Sequence, residues 1–329
     1  MKEPRRASPP SGSRRSLQAR RVLGLLGPFL GLLLVVALFS ALAPDSFLSA
    51  YNLKTVATQT VIVGLGAIGM TFVIVSGGID LSIGAVIALA SVVTALFLRE
   101  GYAPSVAVLG GVLTGGLCGL VNGLLITLLR IVPFIVTLGM LGMARGFAKY
   151  LAGEQKIDAP ASWLSDLMTK SPTPSFLLVA PGVWILFLLA LFMGLVLRNT
   201  VLGTHAFAIG SNEDTARLCG VPVLRNKVAI YTLSGLFAGL AGVMQFGRLT
   251  VGDPTTAIGK ELDVIAAVVI GGGSLAGGEG SILGALIGAF LMSFLANGCN
   301  LTGVPNYVQE IIIGAIIVLA VAVDRLRHR

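Results

Sequence analysis

Apolar residues along this chain gather in long runs and do not alternate with polar ones. A run of about 20 apolar residues is the length that carries an α-helix across a bilayer. Ten such stretches stand in order: Val22–Leu42, Thr55–Val75, Ile79–Leu98, Ser105–Leu129, Pro133–Leu151, Phe176–Leu197, Lys227–Phe246, Leu262–Leu275, Ile282–Asn297 and Tyr307–Val323. Gly-rich breaks interrupt or flank the third, eighth and ninth. The pattern predicts an all-α integral membrane protein with about ten transmembrane helices. The first run has 21 residues and others follow it, so it reads as an uncleaved span, not the shorter apolar segment of a signal peptide.

Composition narrows the class. Of 329 residues, 55% are hydrophobic and 12% charged, and the mean hydropathy is +0.92. A soluble domain carries about 25% charged residues. A soluble enzyme is excluded, and so is a disordered chain. The 43 glycines fit close helix packing in lipid.

The net charge of +8 is informative through its placement. Residues 1–21 hold Lys2, Arg5, Arg6, Arg14, Arg15, Arg20 and Arg21 among Pro and Ser, and read as a basic disordered tail. With this tail in the cytoplasm, 15 of the 23 Lys and Arg fall on that side, the others being Arg130, Arg198, Arg217, Arg225, Lys227, Arg325, Arg327 and Arg329. That bias sets orientation in membrane proteins. Both termini are then cytoplasmic, with residues 152–175 outside and 198–226 inside. The expected organisation is the tail, a membrane domain over 22–324 containing a cytoplasmic loop at about 198–227, and a short basic C-terminus over 325–329. The positive charge describes orientation, so no nucleic-acid partner is called for.

The motifs of soluble chemistry are missing. No G-x-x-x-x-G-K-[ST] occurs, so this chain has no P-loop for ATP. Gly64-Leu65-Gly66-Ala67-Ile68-Gly69 matches a dinucleotide fingerprint in letters alone, since it lies inside an apolar run with no strand before it. Neither H-E-x-x-H nor G-x-S-x-G is present. Cys118, Cys219 and Cys299 stand far apart and the two histidines, His205 and His328, lie near none of them, so neither a metal site nor a disulfide framework is expected.

Gly115, Gly119 and Gly123 repeat at four-residue spacing, as do Gly280, Gly284 and Gly288. Each line opens a groove on a helix face, for tight packing or for a sliding motion. Gly77-Gly78 before Gly84-Ala85-Val86-Ile87 is faintly echoed by Gly277-Gly278 before Gly284-Ala285-Leu286-Ile287, and transporters are often built from repeats with such breaks. Charges near membrane depth are few: Asp80, Arg145, Lys149, Glu261, Asp263 and Glu310. On this topology most fall near interfaces, which argues against an ion-driven carrier. Asp80 with Ser82 reads either as a cap for the third span or as a solute contact.

The longest inner loop carries Ala208-Ile209-Gly210-Ser211-Asn212-Glu213-Asp214-Thr215-Ala216-Arg217-Leu218-Cys219-Gly220-Val221. This predicts a short amphipathic helix, capped by Ser211 or Asn212, with Glu213 and Asp214 at its positive end, Ala216 and Leu218 as apolar contacts and Gly220 as its stop. It reads as a simple connection or as a plug for a groove on a soluble partner.

The pattern Asn212-Glu213-x-x-Ala216-Arg217-x-x-Gly220 resembles the coupling loop of bacterial ABC-importer permeases of the ribose/xylose/arabinose type. Three further stretches are similar to that family: Gly77–Gly84, Thr137–Met140 with Arg145-Gly146, and Gly259–Gly280. The resemblance covers roughly residues 45–324. It implies a multi-pass subunit of the bacterial inner membrane that pairs as a homodimer or heterodimer and imports a monosaccharide by alternating access. It also implies two cytoplasmic ATPase subunits, which would hold the ATP and Mg, and an extracytoplasmic sugar-binding protein. This chain would need no cofactor or metal and do no covalent chemistry. Asn212, Glu213, Asp214, Ala216, Arg217 and Gly220 would dock into the ATPase. Gly77, Gly78, Asp80, Ser82, Asn122, Glu261, Asp263 and Asn297 are the translocation or gating candidates. A path lined by small residues and amides (Asn122, Gln245, Asn297, Asn300) suits a neutral polar solute. A nucleoside, quorum-signal or branched-chain amino-acid cargo, or an ion-driven carrier, are the alternatives.

Overall fold

The computed structural model describes residues 12–170 and 177–327. The chain is helical almost throughout: α1 Gly12–Leu42, α2 Ala50–Val75, α3 Ile83–Arg99, α4 Pro104–Leu128, α5 Pro133–Ala152, α6 Trp163–Asp166, α7 Pro181–Asn199, α8 Val201–Ser211, α9 Glu213–Leu218, α10 Val223–Leu249, α11 Lys260–Ile270, α12 Ile282–Leu301 and α13 Asn306–Arg327. Two short strands, β1 Ile157–Asp158 and β2 Val251–Gly252, pair antiparallel with Ile157 opposite Gly252. Every expected span coincides with a helix, and α2, α4, α7, α10 and α12 are long and apolar enough to cross a bilayer.

Several expected boundaries move. Helix α1 starts at Gly12, so the last ten residues of the expected disordered tail are helical; Leu, Gln, Ala and Arg favour a helix and no proline interrupts them before Pro28. Residues 1–11 lie outside the described part. The third span begins at Ile83 and not at Ile79, because residues 76–82 form turns. The eighth ends at Ile270, since Gly271, Gly272 and Gly273 favour a turn over helix. At 11 residues, α11 is only about 16 Å long and cannot cross alone.

Helix α2 is the hub. It is apolar all round and 94% of its most apolar window is buried, as expected of a helix surrounded by others. The glycine line of α4 meets α10 backbone to backbone: Gly115 lies against Gly235 and Gly239, Gly119 against Tyr231 and Gly235, and a Cβ on Gly123 would come 2.8 Å from the Val228 Cα. Likewise Gly284 and Gly288 of α12 seat against Gly271 and Ala267. Both glycine lines are thus packing surfaces, while Gly280 belongs to the preceding loop.

The helix ends sort into two levels. At one, β1 and β2 pair, Lys156 meets Asp253 at 3.4 Å, and Lys170 Nζ donates to the Tyr51 hydroxyl at 3.0 Å. At the other lie the end of α2, helices α8 and α9, and the loop 271–281. Helix α1 runs parallel to α12, with Gly31 against Leu291 and Gly298 against Phe39, so it enters from the α8–α9 end.

Candidate functional site

The most organised polar surface is the α8–α9 corner. Asn212 breaks the helix with extended backbone (φ −164°), and its side chain accepts the Thr215 N–H at 2.8 Å, capping α9. Gly220 closes α9 with φ +85°, a conformation cheap for glycine. Its N–H reaches the Arg217 carbonyl and that of Val221 reaches the Ala216 carbonyl. Ala216 packs with Ile209 and Val223 in a small separate apolar cluster. Leu218, an expected second apolar contact, is instead 88% exposed. One helical turn cannot aim residues two apart at the same surface. The helix therefore has an anchored face and a free one, the latter presenting Asp214 and Leu218.

Glu213 ties the anchored face down. It accepts from Arg217 Nη2 at 3.0 Å and from Lys227 Nζ on α10. Partial burial alone would raise its pKa; the Lys227 and Arg217 cations overcome this and hold the carboxyl below its usual range. The sequence places Lys227 on the cytoplasmic side but gives no sign that it meets Glu213. A partner 14 residues away, across a turn and a helix start, leaves no periodic signal.

The C-terminal end of α8 meets both glycine breaks. The Gly278 N–H donates to the Val75 carbonyl at 2.9 Å, and Gly210 fills the space beside them. A Cβ on Gly210 would overlap Val75 O and crowd Gly278 N, while one on Gly77 would lie 3.7 Å from the Gly210 Cα. Gly77, Gly277 and Gly278 all have positive φ. The two stretches that echo each other in sequence thus converge on one residue of the loop between them.

The remaining candidates form three groups. Asp80, 2% exposed, accepts the Ser82 N–H at 2.9 Å and the Ser82 hydroxyl at 2.6 Å, shaping the turn that starts α3; Ser82 itself makes no capping bond from its side chain. Asn122 of α4 donates to Ser82 Oγ at 3.1 Å. Its own carbonyl oxygen and the Tyr231 hydroxyl are buried without hydrogen-bond partners among the described residues. Asn297 lies elsewhere. It makes a reciprocal amide pair with Asn52, 2.9 Å in each direction, which uses its side chain to brace α12 on α2.

Glu261 and Asp263 begin α11, which starts inside the bundle. Residues 253–259 turn back into the bundle: Gly252 packs on Ser91, Val92 and Ala95 of α3, while Ala257 and Glu261 reach Gly84 at its other end. Val264 then touches Gly66, well inside α2. Arg145 of α5 clamps this segment by donating to the Pro254 and Thr256 carbonyls at 2.8 and 2.7 Å, and Gln245 donates to Thr256 Oγ1 at 2.6 Å. Asp263 pairs with Lys260 at 2.6 Å. One carboxylate oxygen of Glu261 is buried with no hydrogen-bond partner among the described residues. Non-helical backbone at membrane depth survives where protein covers it or where it lines a water-filled cavity.

Comparison with known proteins gives the family. A family model described as the permease component of a branched-chain amino acid transport system matches residues 52–321. The chain belongs to this permease family. It is 41% identical over 312 residues to a ribose import permease of Bacillus subtilis, covering 92% of this chain and 94% of that one. It is 39% identical over 299 residues to the ribose import permease of Escherichia coli K12, with 91% and 93% covered. An L-arabinose ABC transporter permease of Azospirillum brasilense is 35% identical over 331 residues, covering 99% and 96%. No solved structure matches the permease at comparable stringency.

Proposed function

We propose that this chain is the membrane-spanning subunit of an ATP-binding-cassette importer of a monosaccharide, set in the bacterial inner membrane with ten spans, the α8–α9 corner and both termini in the cytoplasm. The sugar assignment follows from the relatives, whose names specify ribose and L-arabinose. In this reading two separate ATPase subunits bind ATP and Mg, an extracytoplasmic binding protein delivers the sugar, and two permease chains pair. Domain bounds follow the sequence: the membrane unit over 22–324 with its coupling loop at about 198–227.

The mechanism starts at α9. Its free face, with Asp214 and Leu218, enters the ATPase, while Glu213, Ala216 and Gly220 keep the helix fixed to α8 and α10. ATPase closure then moves α8 as a rigid lever. Because Gly210 sits on both the 76–82 turn and the 271–281 loop, the same movement reaches α3 and α11, the two short helices that begin inside the bundle. Tilting them opens one side of the path and closes the other. Docking and nucleotide state shift the population between the two openings. Asp80, Ser82, Asn122 and Glu261 supply polar groups along that path for sugar hydroxyls, whereas Asn297 braces the scaffold.

The observation that carries this reading is the convergence of both glycine breaks on Gly210. Uptake of labelled sugar into proteoliposomes holding the full importer tests it. Glu213→Arg and Gly220→Trp should abolish ATP-driven uptake while the chain still inserts in the membrane. Unchanged uptake in both variants would remove the coupling role.

A further inference from the structure

Between the α4–α5 connection and the root of α9 lies a cavity of about 700 Å³. Arg130, Arg217, Arg225 and Lys227 line it, with Glu213 as its one acidic residue. Glu213 is already committed to Arg217 and Lys227. Arg130 and Arg225 make no ion pair among the described residues, so the cavity holds two uncompensated cations. Arg130 also occupies a left-handed backbone conformation (φ +54°), where glycine would be cheaper.

The chain on either side of Arg130 is apolar and exposed. Leu129, Val132 and Ile135 are each about 60% exposed where α4 ends and α5 begins, and Phe134 and Leu224 are exposed beside them. Cations beside exposed aliphatic side chains, at the ends of α4 and α5, match an amphiphile with an anionic head and acyl tails. A basic pocket between spans is the form such headgroup sites take. The docking face of α9 points elsewhere, through Asp214 and Leu218, so an ATPase and a lipid would not compete for the same side chains.

We infer that this cavity is a binding site for the phosphate headgroup of an anionic phospholipid, held by Arg130 and Arg225, with its acyl chains lying on Leu129, Val132 and Ile135. The bound lipid would fix the root of α9 to the membrane boundary. The site does not depend on which sugar is carried, but it rests on the proposed orientation, with the α8–α9 end at the cytoplasmic leaflet.

Native mass spectrometry of the full-length chain, titrated with phosphatidylglycerol or with phosphatidylcholine, reads the site directly. The charged lipid should bind more tightly, and each cation removed should weaken it about fivefold. Arg225→Gln and Arg130→Gly are the variants of choice; the second also relieves the left-handed strain, so it should fold at least as well as the parent. Together they should cost roughly 25-fold in phosphatidylglycerol affinity and leave phosphatidylcholine unchanged. Unaltered phosphatidylglycerol affinity in the double variant would overturn the assignment. So would protection against thermal unfolding by glycerol phosphate alone equal to that from the lipid, which would make this a site for a free anion. Loss of ATPase co-purification with lipid binding intact would assign the arginines to an acidic protein face instead.

Discussion

Glu213 shows how single side chains in this protein serve geometry before chemistry. Its carboxylate holds Arg217 within α9 and Lys227 from α10, so a helix of only six residues keeps one orientation. Its folded pKa lies below the ordinary value of 4.5. The pairing therefore stabilises the fold above that value and is lost as pH falls through the lowered one. Glu213→Gln should lower the unfolding temperature of the detergent-solubilised chain at neutral pH, and that gap should close on acidification. Since the carboxylate is 38% exposed, salt should narrow the gap as well. The Asn52–Asn297 pair behaves differently, being buried and uncharged. Asn297→Leu leaves the buried Asn52 amide oxygen unpaired, while its N–H still reaches the Phe47 carbonyl, and should cost about 1–3 kcal/mol, measured by thermal unfolding. In a double-mutant cycle, adding Asn52→Leu should cost far less than Asn52→Leu alone does, and strict additivity would deny the coupling.

At the scale of elements, glycines decide which helices can meet. Gly115 lets α4 touch the Gly235 carbonyl of α10, and a methyl group there has nowhere to go. Gly115→Ala should destabilise by about 1–3 kcal/mol, as overpacking does. Gly139 and Gly142 on α5 meet nothing within 4 Å, and alanine at either should be neutral or slightly stabilising in a monomeric preparation. Comparing folded yields by size-exclusion chromatography separates the cases. The four-residue spacing that marks such faces was legible in sequence. Its partners were not, because spacing says a groove exists and nothing about what fills it. For the same reason the amphipathic character of α9 was visible and its orientation partly misread. Ala216 and Leu218 sit two apart, and only packing on Ile209 and Val223 chose between them.

At the scale of the molecule, the proposed lever from α8 to the two breaks makes a prediction with a specific signature. Gly210→Ala should leave membrane insertion and ATPase co-purification intact while ATP-driven uptake falls at least tenfold, because the crowded backbone at Val75 and Gly278 must separate. Uptake at the parent rate would show that the convergence is packing alone. The re-entrant 253–259 segment is a feature of the same scale. Arg145 lies over a hundred residues from the carbonyls that it clamps, and no local pattern announces that contact.

The sequence by itself determined the membrane class, the helical make-up, the main spans, a capped helix starting at Ser211 or Asn212, and the family. Each depends on local quantities: the length of an apolar run, the type of a capping residue, or a motif read in order. The tertiary structure alone decided that the eighth span is a short helix starting inside the bundle, that Asn297 is a brace, and that both glycine breaks meet at Gly210. Those outcomes depend on contacts between distant segments, where backbone approach and pairing geometry are fixed by how whole helices pack.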